Sequence, residues 1–249
     1  MTAAGQARKR GARAEVPITA ELIVDTAFRM IDERGADGFS MRAVATELGV
    51  FPATLYWHVG DRAQLLGLVE LRWVQGIELP DDLSDWREWM HELALRYRAH
   101  AHRYPNVARM VTVERARNVE SLVIPDAIIG KLADLGLGDR LVHAYNALMG
   151  AVRGFVVLEL SMAPDPAVPD DVEDAEAELR GVDPARFPHL TQHFHLLADR
   201  ALSIRWSESS LHSLDESYEF LVQLLLDGIA RQVAPQRPVT PARRRAPRG

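Results

Sequence analysis

Residues 40–59 read SMRAVATELGVFPATLYWHV. The apolar spacing predicts two short helices here. Ser40 suits an N-cap, Phe39 and Val44 can staple the first turn, and Met41, Val44, Ala45 and Leu48 share one face. Gly49 supplies the left-handed backbone that stops this helix. Pro52 then suits the first position of a second helix running through His58. Two short helices joined by a tight turn are the spacing of a helix-turn-helix, whose second helix lies in the DNA major groove. From helix spacing alone an ordinary helical hairpin is the better reading; the side chains move the balance. The inner face of the second helix needs only Leu55 and Val59, which leaves Thr54, Tyr56, Trp57 and His58 crowded on the outside. Aromatic and hydrogen-bonding groups on the outer face of a short helix point to a binding surface.

Outward from this stretch the pattern stays helical, with no period-2 strand run. Thr19 caps a first helix, stapled by Ile18 and Ile23 and closed at Gly35, with Leu22, Ile23, Ala27, Met30 and Ile31 on one face. An Asp61-x-x-Gln64 capping box opens a fourth helix, which runs to about Ile77 before Pro80-Asp81-Asp82 breaks it. Further helices are expected over 84–103, 105–114, 125–135, 139–162, 189–205 and 213–233, the last opened by a Ser213-Leu-Asp-Glu216 box. Residues 163–188 are proline-rich and acidic and read as a surface loop. The expected fold class is all-α: an N-terminal three-helix head followed by a larger helical body.

The chain has 249 residues and 27.8 kDa, ample to bury a core. With no cysteine, disulfides, thiolate metal sites and a cysteine nucleophile are excluded. The charge-free apolar run Leu141–Val152 falls short of the ~20 residues that cross a bilayer, and no apolar core follows the basic start MTAAGQARKRGARAE. A cytoplasmic protein with no membrane partner is expected. The net charge of −6 is unevenly spread. Residues 1–16 carry a net +3 and residues 234–249 a net +5, leaving −14 for the body. Basic ends rich in Pro, Gly and Ala are expected to be flexible, and the N-terminal arm, with Arg8, Lys9, Arg10 and Arg13, suits a DNA minor groove.

The head resembles the tetracycline-repressor family. The resemblance rests on Gly35, on Ser40-Met-Arg-Ala-Val-Ala-Thr-Glu-Leu-Gly-Val50, on Thr54-Leu-Tyr-Trp-His58 and on Arg62, and it spans residues 18–70. A looser resemblance joins residues 139–162 and 213–233 to the C-terminal bodies of that family. It implies a ligand-responsive transcriptional regulator, most often a repressor. Such a protein binds a palindromic duplex operator as a homodimer and is released by a small-molecule effector. The domains expected are a basic arm 1–16, a head 17–66 with its motif at 40–59, a ligand-binding and dimerisation body 67–233, and a disordered basic tail 234–249.

On this reading Thr54, Tyr56, Trp57 and His58 face bases and backbone in the major groove, while Ser40, Arg42 and Arg62 clamp phosphates near the starts of two helices. Family members often carry Ser where this chain has Phe51, which cannot cap a helix and can instead meet a thymine methyl. Residues 17–66 hold four Arg against seven acids, so a concentrated basic edge must supply the phosphate contacts. Helices 139–162 and 213–233 are expected to pair with their copies in a four-helix dimer. Trp89, Tyr97, His102, Asn106, Met110, Tyr145, Met149 and Phe155 are the candidate effector contacts, mixing apolar walls with a few polar groups. Tetracycline repressors proper carry a metal-liganding His and a Gln where this chain has Met110 and Ile128.

Other chemistry is thinly represented. His189 and His193 stand at i, i+4 with His195 beyond, but no acid lies between the first two as in a zinc peptidase. His100 and His102 point to different sides of a helix. No phosphate loop or nucleophile elbow occurs, so no cofactor, metal or catalytic residue is assigned. The alternative is an all-helical small-molecule-binding protein or enzyme whose head only looks like a DNA reader.

Overall fold

The computed structural model describes residues 17–81, 85–113, 118–162, 177, 180–198, 200–202 and 214–233. The two basic ends, most of the expected 163–188 loop and Ser213 lie outside these residues. The helices are α1 (Ala20–Arg34), α2 (Met41–Glu47), α3 (Pro52–Val59), α4 (Arg62–Gln75), α5 (Trp86–Arg103), α6 (Pro105–Val113), α7 (Val123–Ala133), α8 (Leu141–Ser161), α9 (Pro188–Leu197) and α10 (Asp215–Ala230). No β-strand occurs among the described residues. The chain divides into two compact units. One comprises residues up to 80 with 93–124 and 156–163; the other comprises 81–92, 125–155 and 164–249.

The first unit contains the three-helix head. Thr19 Oγ1 accepts from Leu22 N at 3.1 Å and Ser40 Oγ from Ala43 N at 3.1 Å, so each opening hydroxyl satisfies a donor the helix cannot. Gly49, with φ +66, turns the chain between α2 and α3. Both halves of the Asp61–Gln64 box are made, at 2.8 and 2.9 Å. Ile23, Ala27, Met30, Ile31, Val44, Leu55, Leu65 and Val69 are all fully buried and form one core across α1–α4. Helix α1 is its axle, touching α2, α3, α4 and α6.

Below the head, Trp73 of α4 meets Tyr97 edge-on at 5.7 Å and His100 at 5.1 Å, both from α5. Glu159 near the end of α8 takes both nitrogens of the Arg98 fork, at 2.9 and 2.6 Å. His102 Nε2 lies 3.0 Å from the same carboxylate. Burial would push this carboxyl up, but the bonds from Arg98 and His102 more than reverse it and hold it at about 2.

In the second unit Phe155 of α8 rests on the fully buried Tyr218 of α10, ring centres 5.4 Å apart. His91 Nε2 sits 2.6 Å from Glu219, and Arg87 pairs with Asp227. Both helices also turn large apolar groups outward: Val142 is 51% exposed, Leu224 58% and Phe220 68%.

Several boundaries differ from the sequence reading. Helix α7 begins at Val123 rather than 125, because Pro125 falls in the first turn, where a missing N–H costs nothing. Helix α9 ends at Leu197 and buries none of its residues. Helix α10 starts after Leu214 with no side-chain cap. Within Gly138–Ser161 an 18-residue window reaches a mean hydropathy of 1.4, so this helix is long and apolar enough to cross a membrane by length and composition. That span exceeds the charge-free run read from the sequence because the apolar pattern resumes after Arg153 with Phe155, Val156, Val157 and Leu158.

Candidate nucleic-acid interface

Helix α3 is held by two residues. Leu55 is fully buried and Val59 is 4% exposed, and no other α3 residue is buried. Everything else on the helix is available to a partner. Trp57 is 87% exposed and Tyr56 53%; His58 is exposed and Thr54 half-buried. Phe51 stands at the N-cap, 72% exposed and without a capping bond.

The chain leaves α3 at Gly60, with φ +69. A Cβ there would sit 1.8 Å from Gln64 Oε1, the atom that closes the capping box. A glycine is needed at this point both for its backbone and for that close approach. The sequence reading missed this position, though Gly60-Asp61 directly before a capping box is its signal.

The electrostatics of the head follow from which charges find partners. Arg29 binds Glu33 and Glu47, and Arg34 lies 3.7 Å from Glu47. The bond from Arg29 holds the Glu47 carboxyl below its usual range. Asp25 of α1 is paired by Arg72 of α4 at 3.0 Å. Arg42 and Arg62, by contrast, make no ion pair among the described residues. Arg62 lies over the Phe39 ring at 5.4 Å, which stiffens its side chain while leaving the charge outward. Two arginines of the head thus bind acids, while Arg42 in α2 and Arg62 at the start of α4 do not; the net charge of the head stays negative.

The helix starts themselves contribute less than the sequence suggested. The Ser40 hydroxyl and the Asp61 carboxylate occupy amides of α2 and α4. Asp61 also places negative charge at the start of α4. At the start of α4 this leaves the Arg62 side chain as the exposed positive group.

The eight candidate effector residues fall in both units and are described within each. In the first, Tyr97 stacks on Trp73 and His102 binds Glu159. Asn106 gives its amide to the Asp32 carbonyl at 2.6 Å and accepts from Arg109 at 2.8 Å. Met110 is half-buried. In the second, Trp89 is buried beneath Lys131, whose Nζ lies 5.6 Å from the ring centre. Tyr145 and Met149 are half-buried, and Phe155 meets Tyr218. A cleft of about 370 Å³ in the first unit is lined by Asp25, Phe28, Asp32, Arg72, His100 and their neighbours, and includes none of the eight. No group of three or more metal-ligating side chains occurs among the described residues, His189, His193 and His195 included.

Comparison with known proteins gives two family matches. Residues 23–69 match the bacterial regulatory proteins of the tetR family, and residues 79–233 match the tetracyclin repressor-like C-terminal domain. The HTH-type transcriptional repressor DrrR1 of Streptomyces coeruleorubidus is 29% identical over 150 residues, 59% of this chain and 56% of DrrR1. The chain therefore spans little more than half the length of that relative. The class C tetracycline repressor protein of Escherichia coli is 30% identical over 168 residues, 66% of this chain and 71% of its own. Among solved structures, ActR of Streptomyces coelicolor, a TetR family protein in complex with actinorhodin, superposes with a TM-score of 0.71. It is 23% identical, covering 88% of this chain and 100% of that one, and so speaks to the fold.

Proposed function

The chain belongs to the tetR family of bacterial regulatory proteins, and on that premise we propose that it is a repressor that binds a palindromic operator as a homodimer and is released by a small molecule. The observation that carries the DNA reading is the outer face of α3, with Trp57 87% exposed and Arg42 and Arg62 unpaired on either side. Thr54, Tyr56, Trp57 and His58 meet the major groove; Ser40, Arg42 and Arg62 meet phosphates.

Dimerisation is supported by the apolar side chains that α8 and α10 turn outward. Phe220, Leu224 and Val142 are each more than half exposed, and a second copy of the same helices would cover them. The apolar character of Gly138–Ser161 has the same explanation: only 22% of its most apolar window is buried within the chain. The effector is assigned to the body 67–233, with Trp89, Tyr97, His102, Asn106, Met110, Tyr145, Met149 and Phe155 as its candidate contacts. Asn106, His102 and Tyr97 already hold the fold together, so an effector that reaches them exchanges one set of bonds for another.

Selection of bound duplexes from a random pool, followed by salt titration, tests the reading. The expected product is a twofold-symmetric site with half-sites about 34 Å apart and affinity that falls steeply with salt. No enrichment, or an affinity indifferent to salt, would leave the alternative of a helical ligand-binding protein without a DNA function.

A further inference from the structure

The end of α3 that would enter the groove first carries no hydrogen-bonding side chain. Phe51 is its N-cap, Pro52 its first residue, and Ala53 follows; the first side-chain hydroxyl is Thr54. In helix-turn-helix docking it is the N-terminal residues of the second helix that reach base edges. Three consecutive carbon-only side chains cannot read a donor or an acceptor there. The base-edge group that an apolar side chain can read in the major groove is the C5-methyl of thymine.

Phe51 suits that task. Its ring offers the helix start no acceptor, and no capping bond forms. With 72% of the residue exposed, core packing accounts for little of it. Trp57, on the same short helix, is more exposed still. The unpaired Arg42 and Arg62 provide the charge complementarity that makes a polyanion, rather than an apolar protein surface, the occupant of this face.

We propose that Phe51 is a specificity-determining residue whose ring contacts the methyl group of a thymine in each operator half-site. The proposal rests on the DNA-binding reading above and adds to it the chemical class of the base read at one position. It makes the head a reader of shape and methyl groups at the leading end of α3, with hydrogen-bond readout beginning at Thr54.

Deoxyuridine lacks only the methyl group and keeps every hydrogen-bonding atom of thymine. Duplexes of the selected operator are made with deoxyuridine at one thymine, and its symmetry mate, at a time. Dissociation constants are measured for the full-length protein, Phe51→Ala and Phe51→Ser. Low salt keeps weakened binding within range. Phe51→Ser restores a capping hydroxyl, so its helix start is at least as firm as the parent's; thermal unfolding confirms that both variants fold.

At one thymine per half-site, removing the methyl should weaken the parent protein about fourfold per methyl removed, the size of one buried carbon. Both variants should bind the thymine duplex more weakly and show no further loss with deoxyuridine at that position. The proposal is overturned if no thymine shows a penalty, or if the same penalty persists in the variants. The parent's affinity for the all-thymine duplex is measured first; failure at that step rejects the DNA reading itself rather than the role of Phe51.

Discussion

The side-chain amide of Asn106 donates to the main-chain carbonyl of Asp32 at 2.6 Å, tying the last turn of α1 to the first turn of α6. The backbone amides of Asn106 and Val107 also draw the Asp32 carboxyl downward, while its Oδ1 has no hydrogen-bond partner among the described residues. Burial nonetheless raises that carboxyl above its usual range. A displacement of α6 therefore reaches the axle of the head through bonds rather than through loose packing. Asn106→Leu should cost about 1–2 kcal/mol of stability by removing the amide and leaving a carbonyl unpaired. It should also shrink the loss of DNA affinity that an effector causes, while affinity without effector stays within twofold. Binding isotherms with and without effector check this; an unchanged effector response would show that the tie is structural only.

Trp57 and Leu55 separate reading from folding. Trp57→Ala removes a side chain from an 87% exposed residue and should change stability by less than about 0.5 kcal/mol. DNA affinity should fall at least tenfold. Leu55→Ala empties a fully buried position and should cost about 2–5 kcal/mol. Thermal unfolding and DNA titration of the two variants should give opposite patterns. A Trp57→Ala protein with full affinity would remove this residue from the interface.

This division shows how far the sequence could be read. The head was legible because its signals are local. Thr19, Ser40, Gly49, Pro52 and the Asp61–Gln64 box each fix a helix end within a few residues, and the structure makes every one of these features. Phe51 and Trp57 could be placed outside because α3 had only two residues to place inside. The pairing of Arg29 and Arg34 with Glu47 was not legible. Glu47 is 18 residues from Arg29 in the chain and meets it only once α1 and α2 have folded together. The same holds for Glu159 and Arg98, 61 residues apart. The roles of His102 and Asn106 in holding the fold depend on such long-range pairs, which no spacing along the chain reveals.

The unpaired arginines should control the salt dependence. Arg62→Ala and Arg42→Ala should each weaken binding to all sequences alike. Each should also reduce the slope of log K against log salt by about 1 for every phosphate that the missing charge had neutralised. Arg29→Ala should leave the slope unchanged, since that charge is already engaged by Glu33 and Glu47. Titrations at several salt concentrations distinguish the two classes; equal slopes throughout would place the phosphate-binding groups elsewhere.

Replacing Leu224 by Glu puts a charge on the outward face of α10, where the leucine is 58% exposed in the single chain. The fold of one chain should tolerate the change. A solution mass of two chains should become one, and operator affinity should drop by at least a hundredfold as the second head is lost. Analytical ultracentrifugation checks the first expectation. A variant that remains dimeric would move the interface away from this face.

Glu159 sets an acid limit. Its carboxyl titrates at about 2 in the folded chain against 4.5 ordinarily, so its ion pair adds stability above about pH 4.5. That contribution is lost as pH falls through the folded value. Glu159→Gln should therefore destabilise the protein by on the order of 3 kcal/mol at neutral pH. The gap between the two proteins should close steadily between pH 4.5 and 2. Unfolding free energies measured across this range test it; a constant gap would show that the ion pair with Arg98 contributes nothing of its own.

Because Leu55 and Val59 are the only buried residues of α3, with Pro52 and Thr54 half-buried, the exposed positions of this helix and those that hold its fold fall on largely separate residues. Substitutions at 51, 53, 54, 56, 57 and 58 can accumulate in a duplicated gene without first passing through an unstable protein. On the DNA-binding reading, a paralogue acquires a new target sequence through these positions while the helices of the body remain as they were.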